Sequence, residues 1–310
     1  MARSLDAVAR EKTAALEARG ERRTLRSGSG DARTFTFGGR TFLAFASNDY
    51  LGLARHPDVV QASLDATSGL GTSATASRLV VGDHDLYGPL EARLARLKRT
   101  EGCTVFGSGY LANLGIIPAL LGPEDGVFLD ALAHACLHAG AQLSRAKKFT
   151  FPHDDVEVLD RLLRSERPKL RNVLIVTEGV FSMDGDTPSL AELASVAKTH
   201  EAWLLVDDAH ATGVLGPGGE GSIAAAGLDV SQVELQVGTL SKALAAYGGF
   251  VCASSAVTEL LVTRARTFIY STGLPPAAVG AASTAIDVSP PSWVSPLSWV
   301  SPLSCVVPVS

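Results

Sequence analysis

The chain has 310 residues, 46% hydrophobic and 19% charged, a mixture that can bury a core and excludes global disorder. A formal net charge of −5 without a basic stripe, and an aromatic content of only 6%, argue against nucleic acid as a partner. The start, Met1-Ala2-Arg3-Ser4-Leu5-Asp6, carries no apolar signal region, and no apolar run is long enough to span a bilayer, so a cytoplasmic protein without a membrane partner is expected.

In chain order, Leu5, Val8, Ala9 and Leu16 among charges predict an amphipathic helix over 3–20, closed at Gly20. Ser27-Gly28-Ser29-Gly30 is a flexible break, followed by short β segments at 34–37 and 41–45. Pro57 opens a helix that is expected to stop at Gly69. Leu86, Leu90, Leu94 and Leu97 share one helix face. Apolar runs of strand length then recur at 103–106, 126–129, 148–151, 173–177, 202–206, 233–237 and 250–253, most of them separated by helical patterns. That alternation predicts an α/β fold, a mainly parallel seven-stranded sheet between helices, with ligands bound beyond the carboxyl ends of the strands.

Four cysteines, Cys103, Cys136, Cys252 and Cys305, form no C-x-x-C pair and no zinc spacing. No metal is expected, and the cysteines in apolar stretches read as buried, reduced thiols. From Ser289 a proline-bearing hexapeptide repeats three times, which excludes a regular helix or central strand. The expected organisation is an N-terminal helix with short strands over 1–45, a large domain over 46–286, and a disordered or aberrant Pro/Ser/Trp tail over 287–310.

The chemistry-bearing residues sit where those runs end. Gly238-Thr239-Leu240-Ser241-Lys242 follows a strand, and partial burial would lower the lysine pKa and favour attack on a carbonyl; a plain loop lysine is the alternative. Asp207-Asp208-Ala209-His210 ends another strand and offers an acid for a cationic ring nitrogen, or merely a capped acidic loop. Gly107-Ser108-Gly109-Tyr110 opens a helix whose free N–H groups suit a phosphate, although it matches neither a P-loop nor a nicotinamide fingerprint. His134 could stack on a flat ring or simply start a helix, and Ser182 could donate to a ring oxygen. Together these groups suit a two-headed ligand, part aromatic ring and part phosphate.

Over residues 40–285 the chain resembles the fold-type I pyridoxal-phosphate (PLP) enzymes, in particular the α-oxoamine synthases. The shared strings are Ser47-Asn48-Asp49-Tyr50-Leu51-Gly52-Leu53, the run from Glu178 to Asp186, the run from Val206 to Gly213, Gly238 to Lys242, and Tyr270 to Pro276. Ser77-Arg78-Leu79-Val80-Val81-Gly82 and the Asp-Asp-Ala-His form are similar to members that condense L-alanine with a pimeloyl thioester, on CoA or an acyl carrier protein, in biotin synthesis. Members using other amino acids, such as 2-amino-3-ketobutyrate CoA ligase, 5-aminolevulinate synthase and serine palmitoyltransferase, share most of these strings.

The resemblance implies that Lys242 holds the cofactor as a Schiff base and later moves the substrate α-proton. It implies that Asp207 pairs with the pyridinium nitrogen, that His134 stacks on the ring, and that His210 and Ser182 approach its phenolic oxygen. Ser108, Gly109, Tyr110 and Thr239 would line the phosphate, and Asn48 would lie near the amino-acid carboxylate. Ser271 and Thr272 would reach the phosphate of a second subunit, because such enzymes are homodimers with shared sites. The resemblance stops after Ile286, where such enzymes continue into a small C-terminal domain that supplies an arginine. Cofactor binding without full synthase activity is therefore expected; an aminotransferase or lyase of the same fold and an inactive remnant are the alternatives.

Overall fold

The computed structural model describes residues 3–31, 33–289 and 306–308. Contacts divide the chain into two units, one of residues 1–45 with 305–310 and one of residues 46–304. In the first, α1 (Leu5–Ala18) is capped by Ser4 Oγ accepting from Ala7 N–H and buries no side chain. Strands β1 (Ser29–Gly30), β2 (Thr34–Phe37) and β3 (Arg40–Ala44) pair antiparallel in sequence order.

In the second unit, α2 (Pro57–Leu70) begins with Pro57 in the first turn, where a missing N–H is harmless. It runs past Gly69, the expected stop, and ends at Gly71, whose φ of 85° only glycine adopts freely. The leucine pattern forms α3 (Tyr87–Leu97), with Leu90 and Leu94 fully buried. Then follow β4 (Gly102–Phe106), α4 (Gly109–Leu120), β5 (Gly126–Asp130), α5 (Ala135–Ser144), β6 (Lys147–Phe151), β7 (Val173–Glu178), β8 (Trp203–Asp207), β9 (Leu235–Thr239) and β10 (Gly249–Ala253). All seven expected strands of the sheet form. The largest shift is at β9, because Val233 closes a helical turn and Glu234 instead accepts from Leu204 N–H at 2.7 Å. Strand β11 (Val306–Pro308) pairs antiparallel with β3 as the edge of the small sheet, a position where proline is tolerated.

The large sheet has the order β4-β10-β9-β8-β7-β5-β6. Every neighbouring pair is parallel except the two made by β10, which runs antiparallel to β4 and β9. Successive residues alternate between faces. Leu129, Val176, Leu205 and Val237 pack with Ile116, Ile117 and Leu137 on one face. Phe128, Ile175, Leu204 and Val206 pack with Leu159, Leu163 and Leu193 on the other. Both faces are thus covered by helices, which is why these strands read as continuous apolar runs. Helix Pro276–Val288 carries the fold beyond the expected boundary at 286. Residues 290–305, which hold nearly all of the repeats and most of the expected tail, lie outside the described residues.

Asp208 is fully buried, and its Oδ2 accepts from Lys98 Nζ at 2.7 Å. Lys98 also donates to Glu220 O at 2.6 Å, and Ser222 Oγ donates to Asp208 Oδ1. Asp208 therefore braces the turn behind Asp207. Removing one partner of such a pair leaves a buried, uncompensated charge, so Lys98→Met is expected to destabilise the protein by about 3–5 kcal/mol, read as a lowered urea midpoint.

Candidate active site

Parallel strands deliver their last residues to one rim of the sheet, and the titratable residues gather there. Asp207 ends β8 in register with Glu178 at the end of β7. Asp207 is 6% exposed and Glu178 4% exposed. Asp207 Oδ2 accepts from Asn113 Nδ2 at 2.6 Å, and Oδ1 accepts from Ala209 N–H at 3.0 Å. Burial pushes Asp207 above the ordinary carboxylate range, against the pull of the Asn113 N–H and the Lys242 charge. Burial also pushes Glu178 up to about 8, helped by Asp207 beside it.

Lys242 lies in a tight loop between β9 and β10, closed by Ala246 N–H on Leu240 O at 2.8 Å and by Ala245 N–H on Lys242 O at 2.9 Å. Ala245 adopts a left-handed φ of 50° in that turn. The amine is half-buried and turns inward, with Nζ 2.6 Å from His210 Nε2. Burial lowers the Lys242 pKa, while Asp207 and Glu178 oppose the shift. Burial and the lysine charge push His210 down to about 4, so its ring is neutral and accepts from the amine. His210 Nδ1 is 2.6 Å from Tyr50 Oη, and Tyr50 O–H donates to Asn48 Oδ1 at 3.1 Å. With burial pushing Tyr50 up to about 12, the phenol keeps its proton, and one chain of donors runs Lys242 to His210 to Tyr50 to Asn48.

His134 caps α5 with an exposed ring. Its backbone N–H donates to Glu178 Oε1 at 2.5 Å, which ties the ring's position to the end of β7. Tyr110 stands edge-on to it, centroids 6.5 Å apart. At the start of α4, Ser108 Oγ accepts from Leu111 N–H at 3.1 Å. Helix geometry leaves the N–H groups of Gly109 and Tyr110 without intrahelical acceptors. Thr239, at the end of β9, faces them: a Cβ placed on Gly109 would lie 3.5 Å from Thr239 Cβ. Thr239 Oγ1 and Ser241 Oγ are 2.7 Å apart. The start of β10 presses so closely that a Cβ on Gly249 would sit 2.3 Å from Gly109 N.

The expected groups do not all converge. Ser182 lies in a turn after β7 and makes no hydrogen bond to the Lys242 cluster among the described residues. Ser271 and Thr272, expected to serve a second subunit, line a cleft with Gly107 and Arg78, and Thr272 pairs with Ser77 in an isolated bridge. Tyr50, Asn113, Cys136, Glu178 and Gly249 are given no site role by the sequence. Asn113 had one readable signal, a lone polar side chain inside the apolar stretch 109–120. Cys103, Cys136 and Cys252 are free and buried, as expected.

The donor set fits PLP. Asp207 is a buried acid short of counter-charge, which a protonated ring nitrogen supplies; the open end of α4 with Thr239 suits a phosphate; and the Lys242 amine lies on the same rim. Fold and site together define a PLP-dependent acyltransferase of the α-oxoamine synthase kind. Residues 40–295 match the aminotransferase class I and II model, and the chain belongs to that family.

The 8-amino-7-oxononanoate synthase of Granulibacter bethesdensis is 50% identical over 286 residues, 92% of this chain and 73% of the relative. That of Methylocella silvestris is 54% identical over 251 residues, 81% of this chain and 71% of the relative. Among solved structures, serine palmitoyltransferase from S. paucimobilis with a bound PLP-myriocin aldimine superposes with a TM-score of 0.85 at 34% identity, covering 92% of this chain and 73% of that one. The 8-amino-7-oxononanoate synthase of Francisella tularensis gives a TM-score of 0.68 at 30% identity, covering 78% and 68%.

The raised Glu178 pKa has a consequence for stability. An unfolded glutamate titrates near 4.3, so this group's contribution is complete below that pH and is lost as pH rises through about 8. In the cofactor-free protein, Glu178→Gln is expected to flatten the fall in urea midpoint between pH 5 and pH 8.

Proposed function

We propose that the protein catalyses the decarboxylative condensation of L-alanine with a pimeloyl thioester, giving 8-amino-7-oxononanoate, carbon dioxide and the free thiol. The observation that carries this reading is the half-buried Lys242 amine, hydrogen-bonded to His210 on the rim where the buried Asp207 ends its strand. The choice of L-alanine and a pimeloyl donor, on CoA or acyl carrier protein, rests on the similarity to the named synthases.

When bound, PLP supplies a sink for the negative charge that develops at the substrate α-carbon. Asp207 keeps a proton on the ring nitrogen, which that sink requires. Lys242 Nζ anchors the cofactor and then takes the α-proton, with its direction set by neutral His210. Tyr50 holds His210 through Nδ1 and leaves Asn48 oriented toward the amino-acid carboxylate. His134 covers one ring face, and His210 with Ser182 approaches the phenolic oxygen. Ser108, Gly109, Tyr110 and Thr239 hold the phosphate, while Ser271 and Thr272 act on the partner's phosphate in a homodimer. The same reading puts the enzyme in the cytoplasm.

The test is a mixture of protein, PLP, pimeloyl-CoA and one amino acid, with thiol and carbon dioxide both measured. L-alanine is expected to release the two in equal amounts and to outperform glycine and L-serine, at the less than full synthase rate expected from the sequence. Amino-group transfer without thiol release, or a preference for glycine or serine, would contradict the assignment.

A further inference from the structure

Asn113 sits in the middle of α4 with no exposed surface, among residues that are otherwise apolar. An asparagine amide has two N–H donors and one acceptor oxygen. One donor meets Asp207 Oδ2 at 2.6 Å and the other meets Cys136 Sγ at 3.2 Å. The oxygen, Oδ1, is buried and has no partner. A buried acceptor left unpaired is unfavourable and calls for an explanation. An aliphatic side chain would fill the space without that penalty, so the explanation lies in the donors.

The sulfur can accept because its own proton is committed elsewhere. His134 Nδ1 accepts the Cys136 backbone N–H at 3.3 Å and therefore carries no proton. Cys136 Sγ is 2.9 Å from the same nitrogen, so the thiol donates to it. Burial pushes this thiol up to about 12, which keeps the proton on sulfur. Turning the amide over would set Oδ1 against a carboxylate oxygen and against the sulfur lone pairs, so only one orientation survives. The helices are held at this spacing by Gly140, where a Cβ would lie 2.6 Å from Asn113 O.

We propose that Asn113 is a positioning residue that aims and holds the Asp207 carboxylate through one amide hydrogen, while Cys136 locks the direction of the amide through the other. The inference rests on the reading of Asp207 as the partner of the cofactor ring nitrogen. Asp207 is faced by Lys242 from the loop after β9, by Asp208 on its own strand end, by Glu178 on β7 and by Cys136 on α5. Of its hydrogen bonds, the one from Asn113 opposes most strongly the burial that would neutralise it.

The test uses cofactor-free protein labelled with carboxyl-13C aspartate, the Asp207 signal being assigned by its loss in Asp207→Asn. Asn113→Leu keeps the branched shape, at a larger volume, and removes both donors. Its Asp207 signal is expected to titrate about one pH unit or more above wild type. PLP is expected to bind about tenfold more weakly, with the deficit growing as pH falls. Cys136→Ala is expected to shift the signal the same way by less, and Cys136→Ser, which retains an acceptor and a donor, to restore it.

An unchanged Asp207 midpoint in a folded Asn113→Leu protein, judged by circular dichroism, would overturn the proposal. If that variant does not fold, the cysteine pair decides: identical midpoints in the alanine and serine variants reject it. Failure of wild-type protein to bind PLP at Lys242 would instead remove the proposed function, and the cofactor-free titration would still judge Asn113.

Discussion

Lys242→Ala is expected to abolish covalent attachment of PLP and to lower turnover by on the order of 10⁴-fold. The size follows from two duties resting on one amine. In the proposed function Nζ bonds the cofactor, and among the described residues it is the side-chain amine whose charge acts on Asp207. His210 is 2.6 Å away but is pushed down to about 4, so it is a weak base and cannot replace the lysine. Ser108, Gly109 and Thr239, proposed to hold the phosphate, are untouched by the change, so PLP is expected to bind the variant reversibly. Absorbance after dialysis checks this: wild type retains the band of bound cofactor, and Lys242→Ala loses it.

Asp207→Asn is expected to lower turnover by on the order of 10²–10³-fold, the scale for removing one fixed electrostatic partner from an enclosed site. Asparagine matches the shape of aspartate but carries no charge to keep a proton on the ring nitrogen. It would also face the Asn113 amide, which now donates at 2.6 Å to a carboxylate oxygen. Lys242 remains, so covalent attachment is expected to survive with weaker affinity. A steady-state comparison at fixed PLP saturation separates the two effects, since loss of turnover persists when every site is filled.

The sheet was legible because strands buried on both faces appear as apolar runs, and because parallel topology sends their ends to one side. Lys242, Asp207, His210, Ser108 and His134 stand out as candidates by that logic, each just after a run. The residues that tune them could not be found the same way. Tyr50 meets His210 across 160 positions, and Asn113 meets Asp207 across 94. Such pairings come from how α4 and the loop before α2 pack against the sheet, which no local period encodes. Glu178 begins one of the strings shared with the family, but its importance depends on β7 and β8 aligning it with Asp207. The helix stop at Gly71 was misplaced at Gly69 because two glycines stand close together and only one adopts the positive φ that ends a helix.

The most direct measurement is borohydride reduction of the wild-type protein with PLP, followed by peptide mass spectrometry. A stable phosphopyridoxyl mass at Lys242, and its absence when PLP is omitted, is the expected result. A label spread over exposed lysines such as Lys12 and Lys147, with none at position 242, would contradict the account at its root.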